Sequence, residues 1–261
     1  MTKSIGPTLG LTLNDLEKLS EHLNQIAPLI NTQSLPKALA NLLHAFADID
    51  EISIIIYPFK SLPIIAYRDT SEPTSIQNLD TFILGAFVLD PYYVAATKKN
   101  KTGFFTLADL APSGFRQSEY YKSYYRDAEL EDECGYLFLG SSGEVINFSM
   151  AKNAGNKRFK SSELKKLCSL SGSISAFCSL HNFTCDVSTT DEHVGIRLEL
   201  DSAIELFGAR ILTPREHEII SMILHGYAGK SIAMELGISL ETIKLHRRNA
   251  YAKLEVGSQV E

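Results

Sequence analysis

A cluster of positively charged side chains lies near the C-terminal end of the chain. Between residues 241 and 253 there is one carboxylate, Glu241, and there are four cations: Lys244, Arg247, Arg248 and Lys253. Guanidinium and ammonium groups bind phosphates and the acceptor edges of guanine. The 261-residue chain has a net charge of −6, so this local excess of positive charge indicates where a nucleic acid would approach.

Three helices are predicted around this cluster. Thr213, Pro214 and Glu216 form a helix-start signal in which Thr213 is the N-cap and Glu216 closes a capping box. A second, short helix is expected over residues 230–236, and Gly237 supplies the left-handed turn after it. The order helix, glycine turn, helix is the outline of a helix-turn-helix unit.

The third helix carries the charged cluster. It is expected to begin after Ser239 as N-cap and to run to about Leu254. At about 100° per residue, Ile243 and Ala250 fall on the buried face. Arg247 falls near that face too, so its charged end must reach outward along the aliphatic stem. Taken alone, the charges also fit an ordinary solvated helix face.

The order of residues along this segment resembles the LuxR-type helix-turn-helix family, the DNA reader of quorum-sensing and response regulators. The resemblance rests on the following stretches, in this order: Leu212-Thr213-Pro214-Arg215-Glu216, Gly237-Ile238-Ser239, Thr242-Ile243-Lys244, His246-Arg247 and Lys253-Leu254. Because it spans the whole segment, the resemblance favours DNA binding over a merely solvated face.

The resemblance implies double-stranded DNA as a partner and assigns roles to individual residues. Lys244, Leu245 and Arg248 match the positions that approach base edges. The positions that hold the DNA backbone are matched by Lys230, Thr242, His246 and Arg247. The family's domain normally continues into a fourth helix that pairs two readers, whereas this chain stops soon after residue 257. We expect a homodimer, as is usual for such readers, with pairing through either the N-terminal part or the shortened last helix.

Composition and motifs narrow the remaining classes of function. A hydrophobic fraction of 44% is that of an ordinary soluble protein with room for two cores. There is no apolar run of membrane-spanning length and no secretory signal, which predicts a cytoplasmic protein with no membrane contact. No nucleophile motif or metal constellation is found, so we expect no catalytic residues, no metal, no cofactor and no enzyme. The four cysteines are expected to be reduced and structural, although a redox switch between Cys178 and Cys185 is an alternative.

The hydrophobic pattern predicts an α+β sensor and dimerisation domain over residues 1–185, with a central antiparallel sheet flanked by helices, as in GAF or PAS domains. Residues 186–208 are predicted to be a linker that can contain a short helix, and residues 209–261 to be the all-α DNA reader. Helices are expected over residues 12–26, 34–46, 76–89 and 115–126 and from residue 161. Strands are expected over residues 51–57, 62–67, 103–107, 134–139 and 145–150.

The sensor domain has features that indicate a small-molecule effector. It lacks the parallel β-α alternation of a phosphate receiver. The LuxR resemblance suggests an acyl-homoserine lactone pocket, but such pockets normally use tryptophan, and this chain contains none. Tyrosines beside carboxylates in residues 92–136 instead suggest a cage for an amine or another small metabolite. The candidate ligand-binding residues are Tyr92, Tyr93, Phe105, Tyr121 and Tyr125, with Asp127 as charge partner.

Two alternatives to this ligand cage stay open. The same tyrosines could simply pack the interface between sheet and helices, with their hydroxyl groups at the rim. The whole domain could also bind no metabolite and serve as a dimerisation or protein-interaction module for the DNA reader.

Overall fold

The computed structural model shows a mixed α/β N-terminal domain followed by an all-helical C-terminal domain, which confirms the predicted fold class. Among the described residues, no helix is both long and apolar enough to cross a membrane. The structure describes residues 10–58, 61–69, 82–83, 85–118, 120–126, 129–155, 158–183 and 196–257.

Two helices open the N-terminal domain, α1 (Leu13–Ile26) and α2 (Leu35–His44). A capping box fixes the start of α1, because the Thr12 hydroxyl accepts a hydrogen bond from the Asp15 backbone N–H while the Asp15 carboxylate accepts one from the Thr12 backbone. Helix α2 begins as predicted near Ser34, but the Ser34 side chain makes no capping hydrogen bond.

Five antiparallel strands form one sheet in the order β2-β1-β5-β4-β3. The central pair, β4 and β5, is joined by the predicted hairpin around Gly143, whose φ of +84° suits glycine. Strand β4 begins four residues before its predicted start at residue 134. The strands are β1 (Glu51–Tyr57), β2 (Ile64–Asp69), β3 (Gly103–Thr106), β4 (Leu130–Leu139) and β5 (Val145–Asn153).

The two faces of the sheet differ in character because alternate residues of a strand point to opposite sides. One face carries Ile54, Tyr136 and Phe148, which pack with α1, α2 and the closing helix α5 (Ser161–Leu180) in the largest apolar core. The opposite face carries aromatic and polar side chains and is covered by helix α3 (Pro91–Thr97). That second face is where the candidate sensor site lies.

A one-turn helix, α4 (Leu107–Leu110), follows β3.

Two predicted helices of this domain differ from the structure. In the described part of residues 76–89, residues 82–83 are α-helical, and a separate 3-10 turn, Ala86–Leu89, follows Gly85, whose backbone (φ 163°, ψ −29°) is not helical; residues 76–81 and 84 lie outside the description. The predicted helix over residues 115–126 is a 3-10 turn, Phe115–Gln117, and a π-helical turn, Tyr121–Tyr125. Ser118 is extended between them, since its hydroxyl donates to the Phe115 carbonyl and accepts from the Tyr121 N–H.

The C-terminal domain has the three predicted helices, α7 (Pro214–Leu224), α8 (Gly229–Glu235) and α9 (Leu240–Leu254). Their shared core includes Ile219, Ile232 and Ile243. Helix α6 (Ile196–Leu206) precedes them, within the stretch predicted as linker. Residues 184–195, including most of the predicted boundary and Cys185, lie outside the described ranges, so the domain limits stay a prediction.

Candidate functional site

Local capping and one buried face position α9, the helix with the cationic cluster. The Ser239 hydroxyl accepts a hydrogen bond from the Thr242 N–H at 3.1 Å, as expected of an N-cap. Gly237 has a φ of +62°, the left-handed conformation predicted for the turn between α8 and α9. Ile243 and Ala250 are buried against the other helices. The opposite face of α9 is therefore presented to solvent in a fixed orientation.

The exposed face of α9 carries three cations and one large apolar residue. Lys244, Arg247 and Arg248 are exposed, as is Leu245. Lys244 forms an ion pair at 2.7 Å with Glu241, but both side chains are mostly exposed, so the pair is weak and easily exchanged for a phosphate. Lys230 is exposed at the start of α8, and the remaining two predicted backbone contacts, Thr242 and His246, are half-buried.

The fourth cation of α9, Lys253, has a different role. Its ammonium group lies 2.6 Å from the carboxylate of Glu216, the buried residue that closes the capping box with Thr213 at the start of α7. The hydrogen bond from Lys253, together with that from the Thr213 backbone, lowers the pKa of Glu216 to about 2. Lys253 therefore ties the end of α9 to the start of α7 instead of facing DNA.

In the N-terminal domain, Asp90 is a buried carboxylate that joins two segments. As N-cap of α3, it accepts hydrogen bonds from the backbone N–H groups of Tyr92 at 2.8 Å and Tyr93 at 3.1 Å. Its second oxygen accepts from the Tyr120 hydroxyl at 3.0 Å. Burial raises the pKa of Asp90, although these hydrogen bonds act in the opposite direction.

Glu133 is a second buried carboxylate, on the polar face of β4. It accepts hydrogen bonds from the Tyr125 hydroxyl at 2.5 Å and from the Ser149 hydroxyl at 2.6 Å. Burial raises the pKa of Glu133, and the nearby charge of Asp90 raises it further. Two carboxyl groups in one buried environment are costly to ionise together, which is typical of a functional site.

Aromatic rings surround these carboxyl groups. Tyr120 stacks on Tyr124 and Tyr121 stacks on Tyr125, with ring centroids 5.5 and 5.6 Å apart. Beside them on the sheet, the side-chain amide of Asn147 donates to the Tyr57 hydroxyl at 3.4 Å. The buried Oδ1 atom of Asn147 has no hydrogen-bond partner among the described residues. A buried acceptor without a hydrogen bond is uncommon in folded proteins. A ligand with an N–H or O–H group would donate the missing hydrogen bond to it.

Comparison with known proteins identifies the C-terminal part. The sequence of residues 210–261 matches the family model described as bacterial regulatory proteins, luxR family. This segment is a LuxR-family DNA reader. The protein is accordingly a DNA-binding transcriptional regulator, and the helix-turn-helix prediction is confirmed.

Individual relatives cover different parts of this transcriptional regulator. A protein of Aeromonas salmonicida, named as an HTH-type transcriptional regulator in the exeN 3′ region, is 23% identical over 177 residues, covering 66% of this chain and 90% of its own length. The monoamine regulon transcriptional regulator of Klebsiella aerogenes is 49% identical over 51 residues, which are 20% of this chain and 22% of that protein.

Among solved structures, the VqsR LBD domain from Pseudomonas aeruginosa matches with a TM-score of 0.51 and 22% identity, covering 62% of this chain and 94% of that chain. This likeness shows a shared fold.

The predicted ligand-binding residues of the N-terminal domain are dispersed over neighbouring clusters. Tyr92, Tyr93 and Tyr125 are buried, whereas Phe105 and Tyr121 are half-buried. The Tyr92 hydroxyl donates to the Phe105 carbonyl at 3.2 Å, so those two positions are brought together. Asp127 lies outside the described residues. The assignment of these residues to a ligand stays a prediction.

Sequence reasoning missed the two buried carboxylates. Asp90 had a usable signal, because an N-cap residue followed by Pro91 at the first helical position marks a helix start. Glu133 had no such signal in the sequence, since its burial depends on which face of β4 is covered.

The structure gives no support at Cys178 to the alternative of a redox switch. The Cys178 thiol is buried and its pKa is raised, so the thiol stays protonated and unreactive.

Proposed function

We propose that this transcriptional regulator responds to a small molecule bound at the polar face of its sheet, and that binding controls DNA recognition by α9. The observation that carries the proposal is the buried pair Asp90 and Glu133, each hydrogen-bonded to a tyrosine hydroxyl. Buried carboxyl groups destabilise a fold unless they are neutral or paired with a cation. Their presence beside a DNA reader is best explained by a ligand that interacts with them.

The chemistry of this face favours a protonated amine among small metabolites. The hydrogen bonds to Glu133 come from neutral hydroxyl groups, so an ammonium group would add the opposite charge that stabilises its ionised form. Tyrosine rings contribute further through their attraction for cations. The free Oδ1 atom of Asn147 accepts one more N–H group. An amine would therefore bind with proton release from the carboxyl pair.

On the DNA side, the exposed side chains of α9 define the proposed contacts. Lys244, Leu245 and Arg248 would reach base edges in the major groove. The phosphate contacts would come from Lys230, Thr242, His246 and Arg247. Because helix-turn-helix readers bind two half-sites, we propose a homodimer on a two-fold DNA site. This function requires a cytoplasmic location, where bacterial DNA is accessible.

A second candidate function is a dimerisation or protein-interaction module that binds no metabolite. It is favoured by the complete burial of Tyr92 and Tyr93, which pack as core residues between α3 and the sheet. In this case the tyrosines serve packing alone, and control of the DNA reader would come from the oligomeric state or from a protein partner.

Native mass spectrometry followed by thermal unfolding with added amines separates the two candidates. We expect a dimer, and we expect a polyamine or an arylalkyl amine, both protonated at neutral pH, to raise the unfolding temperature in proportion to the logarithm of its concentration. Glu133→Gln is the matched variant, since the amide can accept one of the two hydrogen bonds with its oxygen and donate to the other hydroxyl group, but cannot ionise; its unfolding temperature should not respond. If no amine stabilises the wild-type protein, or if Glu133→Gln responds equally, the amine assignment is wrong and the interaction module is favoured.

A further inference from the structure

A turn of the N-terminal domain makes direct contact with the DNA reader. We name residues 113–118 the docking turn. The Ser113 carbonyl accepts a hydrogen bond from the Ala228 N–H, at the start of α8, at 2.6 Å. At Gly114, whose φ is +96°, a Cβ atom would lie 2.5 Å from the Ala228 Cβ. The two domains approach so closely here that only glycine fits.

The reader side of the contact also depends on glycine. Gly226 is buried and has a φ of +83°. A Cβ atom at this position would lie 3.3 Å from both the Phe115 ring and the Ser118 Cβ. The docking turn therefore fits closely against the turn between α7 and α8 at Gly226 and Ala228.

Beside this close contact the two domains leave an open cleft of about 280 Å³. An ion pair at 2.5 Å between Lys98, at the end of α3, and Glu205 of α6 borders the cleft. Contacts of this kind between domains are usually separable.

The contact lies next to the end of α9 that must enter the DNA groove. Gly229, which directly follows Ala228, packs against the first turn of α9: a Cβ atom there would lie 3.2 Å from Leu240 and 3.9 Å from Ile243. Recognition helices reach base edges with their N-terminal residues, and the preceding helix crosses the DNA backbone. The docking turn thus occupies space beside the surface on which we expect the DNA backbone.

Charge adds to this steric effect. Residues 1–208 contain 18 Lys and Arg against 25 Asp and Glu, a net charge of −7, whereas residues 209–261 contain seven against six. An acidic domain held at the edge of the DNA-binding surface repels phosphates as they approach.

The docking turn is also connected to the buried carboxyl pair. The Phe115 ring packs against Tyr120 and Tyr125 with centroids 6.0 and 5.3 Å apart. Those two tyrosines donate their hydroxyl hydrogens to Asp90 and Glu133, respectively. A rearrangement of the tyrosines around a ligand would therefore move Phe115, which touches the reader at Gly226.

We infer that the docking turn is an internal interface through which the N-terminal domain holds the DNA reader in a form that binds DNA poorly, and that ligand binding releases it. This inference rests on the proposed function for the identity of the DNA-binding face. It adds the surface, residues 113–118 against 226–228, through which the two domains communicate.

A reversible disulfide tests the inference in the full-length protein. The 3.3 Å between the Ser118 Cβ and a Cβ at Gly226 is close to the separation of about 3.5–4.5 Å found in disulfides, so Ser118→Cys with Gly226→Cys should lock the docked form. Binding to a short fluorescent DNA duplex of mixed sequence would be measured by polarisation before and after reduction. We expect the locked form to bind roughly tenfold more weakly or worse, with recovery on reduction. The single-cysteine variants serve as controls and should not respond to reduction.

A second pair of variants tests the opposite direction. Gly114→Ala introduces a methyl group into the contact with Ala228 and should tighten DNA binding several-fold. Gly143→Ala is the matched control, because Gly143 also has a positive φ, +84°, but a Cβ there meets nothing within 4 Å. Equal affinity of locked and reduced protein, or of Gly114→Ala and Gly143→Ala, overturns the inference. Failure of the proposed DNA face is a different result, in which Lys244→Ala with Arg248→Ala leaves binding of the reduced protein unchanged.

Discussion

The different environments of Arg247 and Lys253 lead to a prediction about the salt dependence of DNA binding. Both are cations of α9, six residues apart. In the structure Arg247 is exposed, whereas the Lys253 ammonium group lies 2.6 Å from the buried carboxylate of Glu216. Of these two residues, only Arg247 is free to displace a counterion from a DNA phosphate.

The expected size of the effect follows from counterion release. Each phosphate neutralised on duplex DNA contributes about 0.9 to the slope of log K against log salt concentration. Arg247→Gln should therefore reduce the magnitude of this slope by about 0.9 for each bound protomer. Lys253→Gln should leave the slope unchanged, because the lysine it replaces is already engaged by Glu216.

The assay is a titration of a fluorescent duplex between about 50 and 200 mM salt, in which binding of this kind varies steeply. Glutamine at residue 253 can still donate a hydrogen bond to Glu216, and thermal unfolding of each variant checks that the reader remains folded. If Lys253→Gln lowers the slope as much as Arg247→Gln, the assignment of Lys253 to the ion pair with Glu216 is wrong. If Arg247→Gln has no effect, Arg247 contacts no phosphate.

Two further predictions concern the N-terminal domain. Because burial raises the pKa of Glu133 above its ordinary value of 4.5, the folded protein holds a proton that the unfolded chain releases, and the free energy of unfolding should fall as pH rises from about 5 to 8. Glu133→Gln should reduce this decline in urea unfolding across that range, leaving the smaller part due to Asp90; parallel pH curves for wild type and variant would contradict the assignment. Gly135→Ala places a Cβ against the Phe148 carbonyl oxygen and near the Tyr92 ring, so it should cost about 3 kcal/mol of unfolding free energy. Gly143→Ala, in open space with a positive φ, should cost only about 1 kcal/mol, and equal losses in calorimetry would refute this account of Gly135.

The DNA reader could be predicted almost completely from sequence because its signals are local. Thr213 and Ser239 cap helices that begin where the pattern indicated, and Gly237 takes the left-handed turn. Capping, helical periodicity and glycine turns each depend on residues a few positions apart, so no knowledge of tertiary contacts is needed. The role of Lys253 was the exception, since Glu216 lies 37 residues before it.

The N-terminal domain was predictable only in outline. The alternation of residues in β1, β4 and β5 indicated an antiparallel sheet, but the helix predicted over residues 115–126 is broken at Ser118. There the tyrosines are placed by tertiary hydrogen bonds and ring packing, which override helix periodicity.

By itself, the sequence determined that the chain ends in a DNA reader and begins with a mixed α/β domain, because composition, capping and periodicity act over short distances. Only the tertiary structure decided that Asp90 and Glu133 are buried together, and that residues 113–118 contact the reader at Gly226 and Ala228. Burial, pKa shifts and domain contacts arise between residues far apart in the chain, and the free energy of burying a carboxyl group depends on the groups that surround it in space.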